Sequence, residues 1–151
     1  MQAKNPPASA ALRIVLVDDF QPWRRSISSL LGAAHQRMCV VGEAADGLDA
    51  VEKAQGLQPD VILLDIGLPT LNGIEAASRI TKVAPSAKIL FVTQNSDADV
   101  VKRALSNGAM GYVLKADAKR ELLPAIETVF QGGRFISQRI RNASYFGRSA
   151  A

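Results

Sequence analysis

A chain of 151 residues and 16.1 kDa, 48% hydrophobic and 21% charged, has the length of one ordinary domain with short ends, which excludes general disorder, a fibrous repeat and a second full domain. The formal net charge of +4 is not spread over the molecule: acids and bases balance at fourteen each up to Glu127, and Arg134, Arg139, Arg141 and Arg148 follow with no acid. Such an end reads equally as a solvated linker and as a contact for phosphate or acidic surface.

Residues 1–11, with two prolines, read as a flexible tail without the apolar core of a secretory signal. The first strand, Leu12–Val17, ends in Asp18-Asp19. Pro22 stands near the start of a first helix whose apolar face is Ile27, Leu30, Leu31 and Ala34, with Trp23 one turn before Ile27 and the only histidine, His35, solvated at the far end. Met38–Gly42 is a second strand, in which Cys39 is expected as a small buried hydrophobe. Asp46 can cap a second helix through Gln55. The third strand, Val61–Leu64, is continuously apolar, as in a strand covered on both faces, and is followed by Asp65.

Asn72-Gly73 opens a third helix that ends before Pro85, and the strand Lys88–Val92 leads into Thr93. Asp97 can cap a fourth helix closed by Asn107-Gly108. Gly111–Leu114 leads into Lys115, and Asp117 can cap a fifth helix running to Gly132-Gly133. Residues 132–151 are expected as a basic tail or linker remnant, with disorder weighed evenly against a short helix presenting Ile136, Ile140 and Ala143.

Five strands alternating with five helices predict an α/β domain over residues 12–131, an open doubly wound parallel sheet. A single cysteine excludes an internal disulfide and a multi-cysteine zinc site. No apolar stretch approaches the roughly 20 residues of a membrane helix, so a cytoplasmic protein without membrane contact is expected.

Ligands of such sheets bind beyond the carboxyl ends of the strands. Four strand ends deliver Asp18, Asp19, Asp65, Thr93 and Lys115 to that edge. Each alone is an ordinary cap or strand-end polar residue; together they form a site. Three crowded carboxylates repel unless a cation offsets them, and an all-oxygen set suits magnesium, or manganese in its place, rather than zinc. Asp65, alone at its strand end, is placed to attack a phosphoryl group and carry it as an acyl phosphate. Asp18 and Asp19 are then the metal ligands, with Lys115 and Thr93 on the phosphoryl oxygens.

The pieces Val17-Asp18-Asp19-Phe20, Leu64-Asp65-Ile66-Gly67-Leu68-Pro69 with Asn72-Gly73, Val92-Thr93, and Gly108-Ala109-Met110-Gly111-Tyr112-Val113-Leu114-Lys115 resemble, in order, the receiver domain of bacterial response regulators in two-component signalling. The resemblance implies a flavodoxin-like strand order 2-1-3-4-5. It further implies the main-chain carbonyl of Gly67 as a metal ligand, and Thr93 and Tyr112 as a switch acting on the face formed by the fourth helix, fifth strand and fifth helix. A histidine kinase or histidine phosphotransfer protein is the implied phosphodonor; apart from the resemblance, a homodimer contact is one reading of the Ile136, Ile140 and Ala143 face and the first turns of a linker the other.

Ala116 follows Lys115 where many receivers have proline, so a cis bond is not expected there, since one without proline costs about 3 kcal/mol. The Lys115-Ala116 form and Gly132-Gly133-Arg134-Phe135-Ile136-Ser137 resemble the subfamily that usually carries a C-terminal helix-turn-helix domain. The fourteen residues after Ser137 are too few for that reader. A receiver-only regulator and a chain cut before its effector are both consistent with this, and no direct nucleic acid binding is expected.

A magnesium-dependent phosphatase working through an aspartyl phosphate is the alternative. Such enzymes usually carry a second acid two residues after the nucleophile, where this chain has Gly67. A binding-only relative is disfavoured by the intact five-residue set, and the expected protein is a phosphoacceptor that phosphorylates and dephosphorylates itself, not a turnover enzyme.

Overall fold

The structure is a computed structural model, described over residues 11–34 and 37–143. Most of the N-terminal tail (1–10), His35 and Arg148 lie outside the described residues. Six strands, β1 (Leu12–Val17), β2 (Met38–Ala44), β3 (Val61–Leu64), β4 (Lys88–Thr93), β5 (Gly111–Leu114) and β6 (Phe135–Ile136), form one parallel sheet in the order β2-β1-β3-β4-β5-β6. They alternate with α1 (Gln21–Ala34), α2 (Gly47–Leu57), α3 (Gly73–Val83), α4 (Ala98–Ser106), α5 (Ala118–Phe130) and the single turn α6 (Gln138–Arg141). The expected doubly wound order is present, with a sixth strand added at its end.

Because successive strand residues face opposite ways, the sheet builds two cores. Val15, Ile62, Leu64, Phe91 and Tyr112 face α2, α3 and α4, meeting Ala50, Ile74, Ile80 and Val101. Ile14, Leu16, Leu63, Val92 and Val113 face α1 and α5, meeting Ile27, Leu31, Leu122 and Ile126. Each fully buried aliphatic side chain contributes about 1.5–3 kcal/mol by leaving water. That gain overrides local conflict in α5, where Pro124 interrupts the helical hydrogen bonding from the exposed face while Leu122, Ala125 and Ile126 stay buried.

Helix ends follow the capping chemistry in three cases. Asp46 accepts from the Asp49 amide, Asn72 from Glu75, and Asp97 from Asp99 and Val100. Asp117 is a correction: it stands at the start of α5 but makes no capping bond, because it closes a 3-10 turn (Lys115–Asp117) with φ -108° and ψ 6° instead of the extended backbone of the three working caps, and its Oδ1 goes to Arg120 at 3.1 Å and Arg139 at 2.8 Å. Cys39 is another: it is exposed, since β2 is an edge strand covered less completely than its neighbours. Within 132–151, the described residues place Ile136 in β6 and bury Ile140 of α6 against the α4 side of the sheet. No peptide bond among the described residues is cis.

Among the described residues no helix is long and apolar enough to cross a membrane.

Candidate functional site

The carboxyl edge of the sheet is where main-chain pairing stops and side chains take over. The ladder extends one residue past β1 and β3: the Asp18 amide donates to Ala44 O at 3.0 Å and the Asp65 amide to Val17 O at 3.1 Å. Both aspartates therefore leave from a backbone held by the sheet. Arg24 of α1 fixes the loop after β1 by donating to Asp18 O at 2.6 Å while pairing with Glu43 at 2.8 Å. Behind β3, the Gly73 amide donates to Ile66 O at 2.7 Å, closing the loop that begins with Asp65.

The predicted residues meet in one open cleft lined by Asp18, Asp19, Asp65, Gly67, Thr93 and Lys115. Asp65 Oδ1 accepts from the Ile66 amide at 2.7 Å, leaving Oδ2 to the Lys115 ammonium at 3.1 Å. Lys115 Nζ also reaches Asp18 Oδ2 at 2.6 Å, and Asp18 Oδ1 accepts from the Phe20 amide at 2.9 Å. One ligand oxygen from each of Asp18, Asp19 and Asp65 lies within 4.8 Å of the others. Asp18 and Asp65 are buried and Asp19 is exposed, so the cluster is held from below and open to solvent above. Gly67 is exposed, and a Cβ added there would meet nothing within 4 Å.

Three carboxylates against one ammonium leave the cleft short of positive charge, and convergent hard oxygens are the donors a divalent cation takes. The donor set fits such an ion. Burial pushes the Asp18 carboxyl above its ordinary value near 3.8, even though Lys115 and the Phe20 amide oppose the rise. For Lys115, burial pulls downward, but the bonds and charges of Asp18 and Asp65 prevail and raise it.

The sign of the Asp18 shift sets an expectation. A carboxyl raised on folding contributes stability that is complete below its unfolded value near 3.8 and is lost as pH rises through its folded value. Burial thus makes the Asp18 charge costly in metal-free protein, and Asp18→Asn is expected to melt higher than the parent in EDTA at about pH 7. The advantage should shrink as the pH is lowered toward about 4. With magnesium at about a hundred times its dissociation constant the parent should gain about 2.7 kcal/mol and the variant much less. Thermal melts across pH with EDTA or magnesium check this; an Asn variant melting below the parent in EDTA contradicts it.

Thr93 is buried at the end of β4, and its Oγ accepts from the Asn95 amide at 3.3 Å. Tyr112, fully buried in β5, donates its hydroxyl to Asn95 O at 2.6 Å, and the Asn95 side chain accepts from the Asp97 amide at the start of α4 at 2.9 Å. Asn95 thus joins Thr93, Tyr112 and α4. Its place two residues past Thr93 was the only sequence signal for it. Trp23 packs against the α1 side of the core and lies beneath Lys115, whose Nζ is 5.0 Å from the ring centroid. That is a cation–π contact, joining the expected packing on the core's edge to a contact with the site itself.

The family model for the response regulator receiver domain matches residues 14–127. The chain belongs to this family. The receiver domain is 37% identical over 122 residues to the transcriptional regulatory protein LnrK of Bacillus subtilis, covering 81% of this chain and 55% of that protein. It is 36% identical over 129 residues to DegU of Brevibacillus brevis, covering 85% and 54%. The chain thus spans about half the length of the curated relatives it matches. Among solved structures, a LuxR-family two-component response regulator from Aurantimonas sp. SI85-9A1 superposes with a TM-score of 0.85 at 33% identity, covering 93% of this receiver chain and 99% of that one. The receiver domain of NarL from Mycobacterium tuberculosis gives 0.77 at 29% identity, covering 82% and 98%.

Proposed function

We propose that this receiver domain accepts a phosphoryl group on Asp65 from a phosphohistidine on a histidine kinase or phosphotransfer protein and in response alters its α4-β5-α5 face. The observation that carries this reading is the placement of the Asp65 carboxylate: fixed through Oδ1 by the Ile66 amide, with Oδ2 facing Lys115 and the oxygens of Asp18 and Asp19 alongside.

An Asp65 oxygen attacks phosphorus, the P–N bond to the imidazole breaks as the P–O bond forms, and the departing nitrogen takes its proton from solvent. The nucleophile is already ionised, so no general base is needed. The Lys115 ammonium, which touches Asp65 Oδ2, stays beside the transferred group as a point charge, and the Thr93 hydroxyl supplies a donor on the β4 side. Asp18, Asp19, Asp65 and the Gly67 carbonyl would hold a magnesium ion, or manganese in its place, which when bound neutralises charge on the phosphoryl oxygens. A new dianion drawing the Thr93 hydroxyl toward itself pulls on Asn95, and through it on Tyr112 and the start of α4. A cytoplasmic location accords with this role.

Incubation with acetyl phosphate and magnesium tests the reading. An acid-stable, base-labile acyl phosphate should form on Asp65 and should fail to form when EDTA replaces the metal. Absence of any incorporation in the folded protein with magnesium present defeats it.

A further inference from the structure

The β5 strand ends one residue before Lys115, so the geometry of Leu114 fixes where that lysine begins its reach. On the β4 side Leu114 is opposite Thr93. On the other side β6 continues the sheet for two residues, Gly111 opposite Phe135 and Tyr112 opposite Ile136, and the Ser137 amide donates to Tyr112 O at 2.9 Å.

A parallel ladder would next offer Leu114 the main-chain carbonyl of Ser137, but that carbonyl accepts from Ile140 and Arg141, each at 3.0 Å, to start α6. The Ser137 side chain fills the gap. Its Oγ accepts from the Leu114 amide at 2.9 Å and donates to Glu121 Oε1 at 2.6 Å, while Glu121 Oε2 accepts from the Gln138 amide at 3.1 Å. Ser137 is fully buried and Glu121 nearly so. The hydroxyl is thus oriented at both ends, with its proton on the carboxylate and a lone pair on the amide.

We propose that Ser137 is a positioning residue for Lys115: its hydroxyl, held by Glu121, completes the β5 ladder at Leu114, so that the C-terminal strand and turn set the backbone from which the ammonium reaches the phosphoryl site. This rests on the phosphoacceptor reading. It makes residues 135–141 a working part of the site, although none of their side chains touches Asp65 in the contacts described. A small misplacement of a reacting group is enough to matter, since an error of about 1 Å can cost a factor of about 100 in rate. Linkage also runs backwards: a partner that pulls on β6 or α6 alters phosphorylation, and phosphorylation alters its affinity.

The test measures the rate of phosphorylation by acetyl phosphate at saturating magnesium, with magnesium affinity read from the fluorescence of Trp23, the only tryptophan. Ser137→Ala is expected to slow phosphorylation about tenfold with the magnesium midpoint unchanged. Ser137→Thr, which keeps the hydroxyl, should restore the rate to within about twofold. Leu57→Ala, at the far end of α2 near the opposite edge of the sheet, supplies a loss of thermal stability unrelated to Lys115 and should keep the parent rate below its melting transition. A parent-like rate in Ser137→Ala, or an equal slowing in Leu57→Ala, overturns the assignment. If Ser137→Ala does not fold, Ser137→Cys, which fills the space with a weaker hydrogen-bonding group, is judged by the same two outcomes. An unmodified parent protein that takes up no phosphoryl group defeats the phosphoacceptor reading itself, a result distinct from either.

Discussion

Asp65→Asn is expected to lose acyl phosphate formation by at least about a thousandfold. The amide keeps the shape of the carboxylate and can still accept from the Ile66 amide through its oxygen, so the loop after β3 should hold. What disappears is the ionised nucleophile, and no neighbouring group can supply it at the same place. Asp18 Oδ1 is taken by the Phe20 amide and Oδ2 by Lys115, while Asp19 is exposed at the rim. Removing one charge also relieves repulsion, since Asp65 is among the groups that raise the Asp18 carboxyl. Asp65 also supports the Lys115 ammonium at 3.1 Å, so the two effects oppose each other and the variant should fold about as well as the parent, which makes a loss of labelling interpretable as chemistry. Intact-mass measurement after acetyl phosphate treatment reads the result, and undiminished labelling in the Asn protein would move the acceptor elsewhere.

A large structural effect at the acceptor is expected from Gly73→Ala. A Cβ at Gly73 would lie 2.0 Å from the main-chain oxygen of Asp65 and 2.7 Å from Ile66 Cα, distances that no side-chain rotation can relieve. Either α3 withdraws from the sheet or the acceptor's own backbone moves. We expect a stability loss of about 3 kcal/mol in chemical denaturation, and a phosphorylation rate reduced about a hundredfold in protein that remains folded. Gly67→Ala is the internal comparison: with open space around its Cβ, it should stay within about 0.5 kcal/mol of the parent. Equal behaviour of the two alanine variants would show that α3 is not seated against the acceptor as described.

The reach of the sequence and its limits have the same physical origin. Val61-Ile62-Leu63-Leu64 could be read as a doubly covered strand because burial on both faces leaves a continuous apolar run, and strand ends could be read as the site because topology gathers them at one edge. Cys39 sat in an equally apolar run, but whether a strand is central or marginal is decided by strand order, which no local pattern encodes. Phe135-Ile136 is too short to show a period, and its pairing with β5 is long-range. Asp117 has the right chemistry for a cap, yet Arg139, brought back by α6, competes for it from 22 positions away in the chain. Trp23 was placed correctly on the face of Ile27; its contact with Lys115 exists only once α1 and β5 are folded together.

The brevity of β6 also governs how this sheet meets other polypeptides. An exposed strand edge is a template on which a foreign segment can pair, and beyond β5 that template is two residues long, followed at once by the turn of α6. At the opposite margin the pairing of β2 with β1 slips at Ile14 and Val15, leaving Val41 without an opposite residue, and such a bulge twists an edge away from flat pairing. Both margins are thereby poor seeds for edge-to-edge pairing of a sheet this rich in valine, isoleucine and leucine.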